Sequence, residues 1–396
     1  MSGAREPRLL IYSQDGLGLV HQRRTTLLAD EFLAACPGAS ALTVSDSPLG
    51  KFFPSSAGHD YCKLPSVRKA GPGDWRPVSL ASSFADVLDV RRAMLRTTVE
   101  AFRPDVLLVD HMPHGAMGEL VPALEVLLGE PTVVVLGLRD ILDAPAVVRE
   151  RWRLEGAFEA VEQYYDRVLV YGSRDVFDVA DEYGWPETAV SKIRYCGYVC
   201  AAPPPDVSVS LRSRYLADDR RDRLVLVMAG AVPRISDAVP CHVVLVTGPF
   251  LPPDRRRELV RRARDLPVDV LTTLPDPVSH ARAADLVVAM AGYNTTAEIL
   301  SVGAPALLVP RSGPSAEQQM RASLFAERGW VSWLRPQELS AGTLAAAMTD
   351  ALHGPRTSAS VRPPDLQGRA VGAQLLLERL EAAPDGGLGT LASRGA

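Results

Sequence analysis

Apolar residues along this chain gather in short unbroken runs set between longer mixed stretches. The runs at 9–12, 41–44, 106–109, 132–136 and 168–170 read as strands. Runs without period-two alternation suit parallel strands buried on both faces. A glycine loop and a helix over about 21–35 follow the first run. Phe84, Val87, Leu88, Leu95, Val99 and Phe102 repeat at the spacing of one helix face over 82–102. The pattern restarts after residue 220, with runs at 224–227, 243–246, 268–271, 286–289 and 306–309. Ala201-Ala202-Pro203-Pro204-Pro205 lies between the halves as a stiff linker. The pattern predicts an α/β chain of two doubly wound, Rossmann-like domains. The first covers 1–200, the second 206–365. A helix over about 366–383 is assigned to the first domain, and 384–396 reads as a disordered tail.

Composition narrows the function classes. A chain of 396 residues with 47% hydrophobic and 23% charged residues is globular and too long for one ordinary core. A net charge of −4 argues against a nucleic-acid partner. No apolar run is long enough to span a bilayer. The cysteines Cys36, Cys62, Cys196, Cys200 and Cys241 are odd in number and scattered, which suits a reducing cytoplasm. Cys196, Cys200 and Cys241-His242 fit no common zinc spacing, so no metal is expected. The arginines at 255–257, 261, 262 and 264 read as a solvated helix face or a weak membrane-surface patch.

One stretch concentrates chemistry. Gly292-Tyr293-Asn294-Thr295-Thr296 follows an apolar run and opens a helix. Ligands of open parallel sheets bind at the carboxyl ends of strands. Free N–H groups and the helix dipole there favour an anion such as phosphate. Glu298 sits in the first turn, where a carboxylate suits a ribose diol. The same residues also fit an ordinary capped helix with a dipole-favoured acid.

Gly-x-x-Thr-x-x-Glu after an apolar strand, followed by Gly303-Ala304-Pro305 and another apolar strand, resembles the donor-site signature of GT-B glycosyltransferases of family 28. That family includes the transferase adding N-acetylglucosamine to the peptidoglycan lipid precursor, and the plant galactolipid synthases. The likeness extends through Pro310-Arg311, Glu317-Gln318 and Arg321-Ala322. Upstream, residues 15–21 resemble an N-domain glycine loop ending in Gly-His. Residues 108–113, 136–140, 195–198 and 246–250 resemble an uncharacterised bacterial branch of predicted glycosyltransferases.

The resemblance implies a cleft between the domains, with the acceptor on the first and a nucleotide sugar on the second. Glu298 would bind the ribose of a UDP-type donor. Gly292, Asn294, Thr295 and Thr296 would face the diphosphate, Glu317 and Gln318 the donor sugar, and the backbone near Leu274 the base. Two departures stand out. The loop Met228–Arg234 lacks the usual glycine richness, leaving Gly230 and Arg234 as phosphate-site candidates. Val20 replaces the glycine before His21.

The implied reaction is inverting transfer of a hexosyl or N-acetylhexosaminyl group, with no cofactor beyond the donor. The chain contains no Asp-x-Asp, which fits a metal-independent mechanism. His21 is the base candidate and Asp110 the group that orients it. His111 and His114 are rival bases. Arg139 and Asp140 are read as an internal ion pair shaping the cleft. Asp15, with Gly16 and Gly18, either touches the acceptor or forms a turn. Four readings compete: transfer to a small soluble acceptor, transfer to a lipid-linked acceptor, UDP-sugar epimerisation, and a non-catalytic binding protein. The first is preferred, in a monomer or homodimer.

Overall fold

A computed structural model describes residues 5–15, 20–49, 54, 56–71, 74–216, 222–228, 241–354, 361–362 and 364–381. Two parallel sheets organise them. The first contains β1 (Arg8–Ser13), β2 (Ser40–Ser45), β3 (His59–Lys63), β6 (Val106–Asp110), β7 (Val133–Arg139), β8 (Arg167–Tyr171) and β9 (Ile193–Tyr195). A small antiparallel hairpin, β4 (Val67–Gly71) and β5 (Asp74–Pro77), stands apart from it. The second sheet contains β10 (Arg223–Met228), β11 (Cys241–Val246), β12 (Val268–Leu271), β13 (Leu286–Ala289), β14 (Ala306–Leu308) and β15 (Ser332–Trp333). The orders are β3-β2-β1-β6-β7-β8-β9 and β12-β11-β10-β13-β14-β15. In each sheet the chain winds outward from its first strand, reverses, and winds the other way. Both sheets therefore have a topological switch point at the first strand.

The core strands form where the apolar runs predict them. Leu9, Ile11, Val106, Leu108, Leu286 and Val287 are fully buried, as central strands covered on both faces must be. The helix Phe84–Phe102 starts at a reciprocal Ser83–Asp86 capping box and buries Val87, Arg91, Leu95 and Val99 along one stripe. The run at 243–246 pairs in parallel with β10, although the connection spans only 229–240. That connection contains Gly230 and Arg234 and lies outside the described residues, as do Gly16, Gly18 and the tail 384–396.

The chain crosses between the sheets twice. After β9 it runs through Tyr198–Val207 to the second sheet. It later returns, and the helix Gly368–Glu381 packs along the helix Val20–Ala35 and against β8. The two crossings touch. The Tyr198 N–H donates to the Asp365 carbonyl at 2.8 Å, and the Gly368 N–H to the Tyr198 carbonyl at 3.2 Å. Gly197 has φ +85°, and a Cβ there would lie 2.7 Å from Asp365 Cγ. Only glycine fits that conformation without strain. Near this junction one apolar cluster runs from Leu9 and Ile11 through Tyr198 and Tyr293 to Leu226 and Val287, joining the two halves.

Candidate active site

Register brings the first group together. Ser13 at the end of β1 lies opposite Asp110 at the end of β6. Beyond Ser13 the chain enters the helix Val20–Ala35. Asp15 stands at the helix start, where its carboxylate accepts from the backbone N–H of His21 at 3.3 Å and of Gln22 at 2.5 Å. The first helical N–H groups have no carbonyl partner within the helix, and Asp15 supplies one. Asp15 is buried, and burial pushes its carboxyl up. Asp15 thus seats the helix that presents His21.

His21 Nδ1 lies 2.6 Å from Asp110 Oδ2. Arg24, one turn further on, reaches the same carboxylate, with its terminal nitrogen 2.8 Å from Oδ2 and 3.0 Å from Oδ1. Arg24 and Asp110 are both fully buried. Burial alone would raise the Asp110 carboxyl. The Arg24 guanidinium and then His21 overcome it and hold Asp110 well below the usual carboxylate range. The Arg24 nitrogen also lies 2.5 Å from His21 Nδ1. That nitrogen therefore either donates to Asp110 or accepts from Arg24; in the first state Nε2 keeps its lone pair. Arg24 stacks between aromatic rings, 5.3 Å from the centre of Tyr171 and 5.6 Å from that of Tyr293. The sequence reading missed Arg24. Its signal was the three-residue spacing from His21, which places both on one helix face.

His111 packs flat on His21, with ring centres 4.2 Å apart and planes 15° apart. Its φ of +64° is unusual for a residue with a side chain. Its Nδ1 lies 3.0 Å from the Asp110 carbonyl, which fixes the ring. Burial, reinforced by His21, keeps His111 neutral well below the ordinary imidazole range. His114 lies elsewhere. It is half-buried, burial lowers its pKa, and its charged neighbours are Glu155 and Glu159. Ligand atoms of His21, Asp110 and His111 lie within 4.8 Å of one another, a spacing a cation could bridge. The Arg24 guanidinium already neutralises Asp110, so a cation would sit beside a fixed positive charge.

The facing group comes from the second sheet. After β13, Gly292 opens the helix Tyr293–Ser301 with extended backbone and no side-chain cap. A Cβ on Gly292 would meet nothing within 4 Å, so its face is open. Asn294 and Thr295 are partly exposed in the first turn. Thr296 departs from the expectation. It is fully buried, and its hydroxyl donates to the Gly292 carbonyl at 2.8 Å, turned into the helix. Leu274, in the loop after β12, is half-buried against the core.

The acids on this side are already engaged. The Glu298 carboxylate pairs with Arg23 Nε of the first domain. Burial raises the Glu298 carboxyl and Arg23 opposes the rise. Glu317 opens the helix Glu317–Glu327 and accepts from Arg139 at 2.6 Å and Arg321 at 2.9 Å. Burial would raise Glu317, but the two guanidinium groups pull it down to about 2. Gln318 Oε1 accepts the Arg311 N–H at 3.1 Å. Arg139 and Asp140 do not pair with each other, contrary to the sequence reading. Neighbours on a strand point to opposite faces. Arg139 reaches Glu317, while Asp140 takes Arg321 at 3.2 Å and the Tyr198 hydroxyl at 2.9 Å. Ion pairs thus bridge the two halves where a ligand would enter. Cys196, Cys200 and Cys241 are buried and outside any disulfide, and His242 pairs with Asp269.

Residues 222–374 match the glycosyltransferase family 28 C-terminal domain. A UDP-N-acetylglucosamine–N-acetylmuramyl-(pentapeptide) pyrophosphoryl-undecaprenol N-acetylglucosamine transferase of Sinorhizobium medicae is 33% identical over 161 residues, 39% of this chain and 42% of that protein. The chain thus spans less than half the length of that relative. Among solved structures, the glycotransferase of kitacinnamycin superposes with a TM-score of 0.60 at 18% identity, covering 95% of this chain and all of that one. A putative UDP-N-acetylglucosamine 2-epimerase from Listeria monocytogenes gives 0.62 at 13% identity, covering 96% and 98%. The shared architecture is GT-B: two parallel-sheet α/β domains.

Proposed function

We propose that this chain, which carries a glycosyltransferase family 28 C-terminal domain in a GT-B fold, is an inverting, metal-independent glycosyltransferase. The donor is a nucleotide-diphosphate sugar of the UDP type, and the acceptor a small molecule. The observation that carries the reading is the His21–Asp110 pair on one domain and the open helix start at Gly292–Thr295 on the other, with Glu298 a turn further in. An acceptor hydroxyl or amine attacks the anomeric carbon as the nucleotide diphosphate leaves. His21 Nε2 accepts the proton, and Asp110, held ionised by Arg24, stabilises the resulting imidazolium. The first-turn N–H groups at Tyr293–Thr295 face the departing phosphate charge. The GT-B fold is shared with an epimerase, so fold alone does not choose the chemistry. The family domain supports transfer.

A second reading is transfer to a lipid-linked acceptor. It is supported by the activity of the Sinorhizobium relative and by the exposed arginine-rich helix Pro253–Ala263, beside exposed Phe250. Among the described residues no helix is long and apolar enough to cross a membrane.

The donor half is tested by calorimetry with UDP and 2′-deoxy-UDP. Wild type should favour UDP. Glu298→Ala should weaken UDP binding by about 1–3 kcal/mol and barely distinguish the two ligands. Equal discrimination in both proteins removes Glu298 from the ribose site.

A further inference from the structure

Arg23 is the second residue after His21, at the start of the helix Val20–Ala35. It crosses to the other domain and takes Oε1 of Glu298, with side-chain exposures of 25% and 12%. Binding a vicinal diol uses both oxygens of a carboxylate, one per hydroxyl. A ribose settling on Glu298 therefore competes with the guanidinium for Oε1. A guanidinium only a quarter exposed has given up part of its hydration, so a nearby counter-charge favours it. The incoming ligand carries one. A nucleoside diphosphate places its anionic groups a few ångströms from its ribose diol. Along the helix, Glu298 and Thr295 are three residues apart, roughly 4.5 Å. A guanidinium swings that far by rotating its own side chain.

The other arginines at this place are committed. Arg24 is locked to Asp110, both fully buried. Arg321 is locked to Asp140 and Glu317, and Arg139 to Glu317. Arg23 differs because its Glu298 partner is the group the ligand itself takes. Resting on the glycosyltransferase reading above, we propose that Arg23 is a donor-site residue supplied by the first domain. It occupies Glu298 while the site is empty and transfers to the diphosphate when a nucleoside diphosphate binds. One side chain then plugs the empty site, pairs with the bound donor, and carries leaving-group charge next to His21.

The test compares the gain from the diphosphate in wild type, Arg23→Met and Arg23→Lys. Calorimetry is run with UDP against uridine, and with ADP, GDP and CDP against their nucleosides. Thermal melts check that each variant is folded. In Arg23→Met, UDP should bind about 10-fold or more weaker, a charge-assisted bond being lost. Uridine should bind equally well or tighter, because its competitor for Glu298 is gone. Arg23→Lys should recover part of the UDP affinity and keep its salt dependence. An unchanged ratio of diphosphate to nucleoside affinity in Arg23→Met overturns the inference and leaves the glycosyltransferase reading standing. Equal tightening of both ligands also overturns it, since Arg23 would then only plug Glu298. If wild type binds none of the nucleotides, the reading itself fails and the inference with it.

Discussion

Glu317 receives one guanidinium from each domain, and this sets how it behaves in acid. Its carboxyl titrates at about 2 when folded, against an ordinary value near 4.5. A depressed acid contributes stability above its unfolded pKa and loses it as pH falls toward the folded one. Wild type should therefore exceed Glu317→Gln in stability at pH 5 and above, by about 3 kcal/mol at most. The margin should close between roughly pH 4.5 and 2. Urea titrations across that range measure it, and a constant margin would deny the ion pairs their role. At His21 the prediction is kinetic. His21→Ala should lower single-turnover transfer by roughly 10²–10⁴-fold while nucleotide binding survives. Asp110→Asn should reproduce part of the loss. Retained transfer in His21→Ala would move the role to the stacked His111. At this scale the sequence marked candidate residues but not whom they meet. Glu298 and Glu317 were legible from their places in a motif. That Arg23 reaches Glu298, 275 positions away, was not, because pairing across domains leaves no local pattern. Arg24 was overlooked for a different reason: a buried arginine reads like any surface one.

Among the elements, β7 and β8 support the cluster from below. A Cβ on Gly137 would lie 1.9 Å from the Tyr171 hydroxyl, and the Tyr171 ring underlies Arg24. Gly137→Ala should destabilise by about 1–3 kcal/mol through overpacking and should also disturb Arg24. Tyr171→Phe should cost little, since the buried hydroxyl has no hydrogen-bond partner to lose. Combined with Gly137→Ala it should recover part of the loss. Thermal melts of the three variants decide this; full additivity would mean that the two residues do not meet. The apolar runs located the central strands because strands covered on both faces must be apolar throughout. The edge strands His59–Lys63, Ile193–Tyr195 and Ser332–Trp333 escaped notice, whereas the edge strand Val268–Leu271 did not. His59–Lys63 carries His59, Asp60 and Lys63, and Ser332–Trp333 is only two residues long. An edge strand facing water needs no apolar run, and charge there discourages pairing with other chains. The hairpin Val67–Pro77 is missed on the same ground.

Across the whole molecule, Asp140–Arg321 and Arg139–Glu317 join Arg23–Glu298 in holding the domains in contact, and the first two differ in depth. Asp140 and Arg321 are essentially dry, whereas Arg139 and Glu317 keep some solvent contact. Breaking a buried pair strands a charge and costs about 3–5 kcal/mol. Either variant leaves one ionic partner, Glu317 for Arg321 or Arg321 for Glu317, and Asp140→Asn should destabilise more than Arg139→Met because its site is the drier. Chemical denaturation followed from both halves tests the ranking, and the reverse order would locate the main contact at Glu317. The two-domain plan was legible because the strand–helix pattern runs twice. The closed approach of the halves was not, since it depends on side chains meeting only after both have folded. The paired crossings at Tyr198 and Asp365 carry a mechanical consequence. Two separated straps would act like the two hinges of a door and permit rotation about one line. Here both straps pass through a single eyelet, tied to each other by backbone hydrogen bonds. A joint of that kind constrains rotation less than a pair of separated straps would, and the resting pose is held by the apolar cluster and the charged side chains that meet around the joint.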